Sequence, residues 1–176
     1  MPANYKPFDK EEWLRLEKKA DELRRLTVQT TVWGGSGHIG GAMSAMDAMT
    51  ILYHRFMKLD VNDPDMEDRD RFVLSKGHTA PGLYAALAER GFFPTEDLKT
   101  FRNVNSYLQG HPDMKGIPGV DMSSGSLGLG ISTACGMALS GKIYNKDYRV
   151  YTVLGDGEVA EGQVWEAVGR VHFRMF

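Results

Sequence analysis

The chain lacks the features that would place it in several common classes. Its 176 residues hold a single cysteine, Cys135, which excludes an internal disulfide and fits a reducing compartment. No apolar run reaches the roughly 18 residues that a membrane helix requires. The first ten residues, MPANYKPFDK, carry no hydrophobic segment of the signal type. A soluble, cytoplasmic protein with no membrane partner is therefore expected. Neither sign of charge dominates: 21 Lys and Arg against 23 Asp and Glu give a formal net charge of −2, so no basic face for nucleic acid stands out. No two histidines lie three to five residues apart, which excludes zinc sites of the usual spacing. The Lys-Ser/Thr ending of a nucleotide P-loop is absent, as are internal repeats and linkers. The length suits one domain with a full core.

Glycine is abundant, at 20 residues, and clusters at Gly34–Gly41, Gly116–Gly130 and Gly155–Gly162. The last cluster lies in RVYTVLGDGEVAEGQVWEA, from Arg149 to Ala167. Val150 to Leu154 reads as a short buried strand and the residues from about Glu161 as the start of a helix. A strand that ends in glycines around an acid and turns into a helix is where α/β folds place phosphate-bearing ligands. Asp156 offers a hard carboxylate suited to Mg²⁺, which is usually held by one or two carboxylates plus phosphates. An Asp-Gly hairpin is the other reading, but no second alternating strand follows.

In chain order, Asp9 with Glu12 three residues later resembles a capping box. It predicts a helix to about Val32 with Trp13, Leu16, Ala20, Leu23 and Thr27 as its apolar stripe. A second helix is predicted from about Ala42 to Phe56, with Ala42, Met46, Met49, Tyr53 and Phe56 inward. Arg71 to Leu74 is a strand candidate, followed by Ser75-Lys76-Gly77-His78 and a helix over about Pro81 to Arg90. A short helix over Glu96 to Arg102 and an irregular stretch from Tyr107 to Val120 come next. The Ser123–Gly130 loop, whose amides suit a diphosphate, leads into a helix over about Gly130 to Tyr144. That helix is apolar on several sides and is expected to be well buried. The alternation predicts an α/β fold, a largely parallel sheet with helices on both faces.

Three histidines each follow a glycine: Gly37-His38, Gly77-His78 and Gly110-His111. Histidine donates to phosphate or sugar oxygens and moves protons near neutral pH. With the glycine loops and Asp156, this points to a phosphorylated cofactor and an anionic, hydroxyl-rich substrate.

The stretches SGHIGGAMSAMDAMTILYHRFM, RDRFVLSKGHTAPGLYAALAERGFF, LQGHPDMKGIPGVDMSSGSLGLGISTACGMA and VLGDGEVAEGQVWEA resemble the N-terminal, diphosphate-binding part of transketolase, a thiamine diphosphate enzyme. The resemblance runs from about Phe8 to Ala167. It is greatest to the N-terminal subunit of transketolases made in two pieces. It implies thiamine diphosphate and Mg²⁺ as cofactors, with Asp156 as metal ligand. His78 would lie near the diphosphate and the reaction centre. His38 and His111 would contact the sugar, and all three histidines would be catalytic. Gly125, Leu127, Gly155, Gly157 and Glu158 would line the cofactor, and Glu161 would sit at a subunit contact. The implied activity is transfer of a two-carbon ketol unit between sugar phosphates. The implied partners are a C-terminal pyrimidine-domain subunit and a second copy of the chain within a larger assembly. A related ketol transferase and a non-catalytic paralogue acting at an interface are the alternatives. The asparagine that closes the family's metal motif and the pyrimidine domain are not in these residues, so an incomplete, C-terminally truncated single domain over 1–176 is expected. The last nine residues, VGRVHFRMF, match the family poorly, and His172 is assigned no role.

Overall fold

The computed structural model describes residues 7–174, with side chains as far as Val171; His172 lies outside the described side chains. Helix α1 spans Lys10–Trp33. The Asp9 side chain caps it by accepting the Glu12 N–H at 2.8 Å. The expected reciprocal bond is not made, because Glu12 turns to Arg55, at 2.7 Å from its Nε. Leu16, Ala20, Leu23 and Thr27 are buried as the periodicity predicts, and Thr30 and Thr31 join them. Their hydroxyls and that of Thr27 donate to carbonyls four residues back, which lets polar residues sit in the core. Trp13 does not belong to this stripe; it lies over half exposed, at 52 %.

The helix predicted over 42–56 is broken. It forms as α2 (Ile39–Ser44), α3 (Met46–Ile51) and a π-helical turn over Leu52–Phe56. The Ser44 hydroxyl takes the Gly41 carbonyl, an acceptor that the next helical N–H would use. The wide turn closes with the Met57 N–H on the Leu52 carbonyl at 2.8 Å. Ala42, Met46, Met49 and Tyr53 remain buried, while Phe56 is only half-buried.

Strands β1 (Arg71–Leu74) and β2 (Val150–Val153) pair in parallel, Arg71 opposite Val150 and Leu74 opposite Val153. Two carboxylates fix where the ladder begins. Asp70 accepts the N–H groups of Lys58 at 2.9 Å and Arg149 at 2.7 Å. Asp121 accepts the outward N–H of Phe72 at 2.8 Å and pairs with Arg69 at 2.7 Å, occupying the edge that β2 leaves unpaired. Between the strands lie α4 (Ala80–Arg90), a 3₁₀ turn over Thr95–Thr100 and α5 (Leu129–Ile143). After β2 come a 3₁₀ turn over Gly157–Ala160 and α6 (Gly162–Arg174).

Phe72 and Leu74 face a core shared with α1, α3 and α4, and Tyr151 and Val153 pack on it from β2. Helix α5 covers the other face of both strands, with α6 beside it. Helices thus flank a parallel sheet on both faces. The sheet holds two strands among the described residues, and no helix there is long and apolar enough to cross a membrane.

The expectation of a well-buried α5 is overturned. Gly130, Ala134 and Gly141 are buried, but Leu129, Leu139 and Ile143 are 50 %, 46 % and 67 % exposed. The reason is geometric. Small residues press one side onto the sheet; a Cβ on Gly130 would stand 2.6 Å from Ser75 Cα. Helix α6 takes a second side, and nothing described covers the rest.

Candidate functional site

The ends of β1 and β2 deliver two loops side by side, Ser75–His78 and Gly155–Glu158. A third loop, Ser123–Gly128, is pinned above them. The Ser124 hydroxyl donates to the Leu74 carbonyl at 2.6 Å, and a Cβ on Gly77 would run into the Ser124 carbonyl. Gly77 is glycine because the two backbones touch there.

One carboxylate ties the three loops together. Glu158 is 2 % exposed. Its Oε1 accepts the Gly128 N–H at 2.8 Å and the Ser75 hydroxyl, and its Oε2 accepts the Gly155 N–H at 2.9 Å. Expected to line a cofactor, Glu158 instead spends both oxygens inside the protein. Gly128 adopts φ +84°, and a Cβ there would lie 2.9 Å from that of Glu161. Residue 128 opens α5 and no side chain caps that helix; the Gly128 N–H goes to Glu158 and the Leu129 N–H to the Ser126 carbonyl. A cavity of about 90 Å³ lies there, lined by the 122–126 segment, Leu129, Gly130 and Thr133.

Asp156, Gly157 and Glu161 are exposed, Leu127 is 42 % exposed and Gly155 is half-buried. The Asp156 carboxylate makes no hydrogen bond or ion pair with any described residue. No cluster of three or more His, Cys, Asp and Glu suited to a metal occurs among the described residues. Lys76, absent from the sequence-based site, is 5 % exposed beside this acid. Burial pulls its ammonium below the usual lysine range, and Asp156 and Glu158 oppose that. Its Nζ lies 3.3 Å from the Ser44 hydroxyl. A lysine wedged between a strand and Gly-His was its signal in the sequence.

The three glycine-flanked histidines, 40 and 33 residues apart in sequence, converge. The rings of His38 and His78 meet edge to face with centroids 4.9 Å apart. The His111 ring lies against Gly125, where a Cβ would come to 3.2 Å from Cδ2. His78 titrates below the usual histidine value, first because it is partly buried, then because His38 and His111 are close. Its ring is thus neutral at neutral pH, one nitrogen a donor and the other an acceptor.

The His111 loop rests on Tyr84 of α4, whose hydroxyl donates to the carbonyls of Gln109 at 2.7 Å and His111 at 3.1 Å. Burial raises the Tyr84 phenol well above its usual range, so it stays a donor. Its apolar helical setting gave no sequence signal for this role. Tyr84→Phe should lower stability by about 1 kcal/mol and loosen the loop, read by urea unfolding and by faster amide exchange at residues 109–111. Unchanged unfolding and exchange would remove Tyr84 from the support.

A larger groove, about 560 Å³, runs between α5 and α6 past Cys135, Leu139 and Arg170. Its lining contains none of the histidines and not Asp156, so volume alone does not mark the site.

The arrangement can be set beside known proteins. The family described as "Transketolase, thiamine diphosphate binding domain" matches residues 16–172. The 6-deoxy-6-sulfo-D-fructose transketolase subunit SqwG of Clostridium sp. (strain MSTE9) is 45 % identical over 157 residues, 89 % of this chain and 57 % of that protein. The transketolase of Mus musculus is 46 % identical over 169 residues, 96 % of this chain and 27 % of its own length. The solved transketolase from Leishmania mexicana superposes with a TM-score of 0.82 at 38 % identity, over 87 % of this chain and 24 % of that one. This chain therefore spans little over half of the first relative and about a quarter of the others. Sequence and fold agree along nearly its whole length: the chain belongs to the transketolase family, as its N-terminal, thiamine diphosphate-binding domain.

Proposed function

We propose that this domain holds the diphosphate of thiamine diphosphate through Mg²⁺ on Asp156. Joined to a pyrimidine-binding domain, it would transfer a two-carbon ketol unit from a ketose phosphate to an aldose phosphate. The observation that carries this reading is the convergence of His38, His78 and His111 beside the glycine loops at the ends of two parallel strands.

The residues present fit the group. Asp156 has an exposed carboxylate with no described protein partner, and one carboxylate suffices for Mg²⁺ when phosphates complete its shell. The uncapped start of α5 and the backbone of Gly125, Leu127, Gly155 and Gly157 suit a diphosphate. When bound, thiamine diphosphate supplies the chemistry that breaks and forms a carbon–carbon bond beside a carbonyl. The chain's residues bind and orient. Lys76 adds positive charge behind Asp156. His78, neutral and partly buried, can pass a proton between its ring nitrogens' partners. His38 and His111, more exposed, stand where sugar hydroxyls would lie.

The exposed Leu129, Leu139, Ile143 and Trp165 support a partner subunit and a second copy, since apolar patches of this kind mark association. Glu161 beside Gly128 would lie at that contact. Balanced charge and the single cysteine support a cytoplasmic setting. The Clostridium relative's name favours a second reading that differs only in donor, a sulfonated ketose in place of a ketose phosphate.

The test is ketol transfer with xylulose 5-phosphate and ribose 5-phosphate by the enzyme completed with its pyrimidine-domain subunit. His38→Ala and His111→Ala should each cost about 1.5–3 kcal/mol in kcat/KM while sparing cofactor affinity. Wild-type kinetics in both variants would refute their sugar-contacting role. Absence of turnover with phosphorylated and sulfonated donors alike would refute the activity.

A further inference from the structure

Two of the converging histidines sit on loops that do not belong to the strand ends. His38 follows α1, and His111 lies in the irregular stretch before the Ser123–Gly128 loop. Something must hold them in register across the intervening chain, and one side chain reaches both. The Nη1 of Arg102 donates to the Ser36 hydroxyl at 2.7 Å, across 66 residues. The Nε–Nη2 edge of the same guanidinium lies against Gly110, where a Cβ would meet Nη2 at 2.7 Å, Nε at 2.8 Å and Cζ at 3.0 Å. Ser36 is two residues before His38, and Gly110 is one before His111.

The local backbone has been bent to allow this. Arg102 holds φ +61°, a left-handed conformation that costs a side-chain-bearing residue energy and persists where surroundings over-determine it. Its own N–H donates to the Leu108 carbonyl at 2.9 Å, closing the turn that brings Gly110 under the guanidinium. Its Nε is buried with no hydrogen-bond partner, a further cost. The neighbouring residue repeats the link: a Cβ on Gly34 would collide with the Phe101 ring at 2.5 Å. Segment 101–102 therefore touches the chain leading into His38 and the chain leading into His111, and an ordinary surface turn needs none of this.

We propose that Arg102 is a positioning residue for the sugar-binding histidines, setting the spacing of His38 and His111 through Ser36 and Gly110. This rests on the reading of those histidines given above. Arg102 itself touches neither ring nor the cofactor loops. The planar fork is what the role uses, Nη1 bonded to Ser36 and the Nε–Nη2 edge against Gly110; a lysine would keep the charge and lose the fork.

The test uses variants that keep the fold. Arg102→Gly retains the left-handed backbone without strain and removes the side chain with its guanidinium. Nuclear Overhauser contacts between the His38 and His78 rings, and between the His111 ring and Gly125, should weaken in it. The Tyr53–Phe72 contact in the core, with centroids 5.4 Å apart, should stay. Gly110→Ala, which keeps Arg102 and adds a methyl against its guanidinium, should disturb the same two contacts. Combined with Arg102→Gly, the added methyl should have little further effect, because the group it strikes is gone. In the complete enzyme, Arg102→Gly should lower kcat/KM for the sugar by roughly 10- to 100-fold with thiamine diphosphate affinity unchanged. Wild-type histidine contacts in Arg102→Gly would overturn the proposal. So would equal loss of sugar use and cofactor affinity, which marks general damage. If the contacts move as expected but sugar kinetics do not, the positional role stands and the assignment of the histidines to the sugar fails.

Discussion

Asp156→Ala should abolish Mg²⁺-dependent binding of thiamine diphosphate and leave the fold untouched. The carboxylate is exposed and makes no hydrogen bond or ion pair with a described residue, so its loss breaks no bond, and the nearby Lys76 keeps Glu158 as a countercharge. Substitutions of that kind usually change stability by less than about 0.5 kcal/mol. The effect on the ligand is of another order. Asp156, Glu158 and a bound diphosphate would all bring negative charge, which the buried Lys76 offsets only in part; Mg²⁺ would supply the remaining positive charge. Removing a residue that merely hydrogen-bonds a metal's ligand costs about 10- to 100-fold in affinity, and loss of the ligand itself should exceed that. Calorimetric titration with and without Mg²⁺, at matched circular dichroism, reads the effect. Equal affinities for wild type and variant would remove Asp156 from the metal site.

Glu158→Ala, two residues on, should do the reverse and act first on stability. The buried carboxylate receives Gly128, Gly155 and Ser75. Truncation leaves two backbone N–H groups and a hydroxyl without their acceptor. At roughly 1–3 kcal/mol for each unsatisfied buried donor, the loss should be at least about 3 kcal/mol. That is a large share of the stability of an ordinary domain. Glu158→Gln should be milder, since it keeps one acceptor oxygen, but its amide NH₂ then faces a donor. Urea unfolding gives the magnitude, and native-state exchange at Gly128 and Gly155 gives the location. A loss below about 1 kcal/mol with unchanged exchange at those amides would show that the carboxylate does not join the loops.

The contrast between these two acids shows what the sequence could and could not disclose. Strand, glycine and acid were legible around Asp156, because glycine spacing and a strand-to-helix switch are local signals. The same locality suggested that Glu158 faces a ligand, whereas it turns inward to groups 30 and 83 residues away in sequence. The histidines were legible as glycine neighbours, and their convergence is tertiary. Tyr84, Lys76 and Arg102 were not read as site residues; one hides in an apolar helix face, one behind a histidine, one in a polar turn. The break in the second helix falls beside the Ser44 hydroxyl, although similar bonds from Thr27, Thr30 and Thr31 leave α1 continuous. The parallel sheet with helices on both faces followed from element order. The exposure of α5 did not, because hydrophobicity says that a face seeks cover and not which chain supplies it.

The parallel pairing of β1 with β2 has a consequence for the order in which the domain assembles. The two strands meet across 79 residues, the separation of the Arg149–Asp70 and Thr152–Val73 bonds that accompany them. Closing so long a loop costs chain entropy before any ladder bond returns it, and contacts of high sequence separation slow folding. The helical layer of α1, α3 and α4 also closes a long loop, since Lys19 meets Glu89 across 70 residues, but it can do so without β2. The Gly155–Glu158 turn reaches Ser75 only when β2 docks. The loops at the two strand ends therefore become ordered together only with that docking. A chain caught partway along would already carry its hydrophobic core and yet have no place for a cofactor.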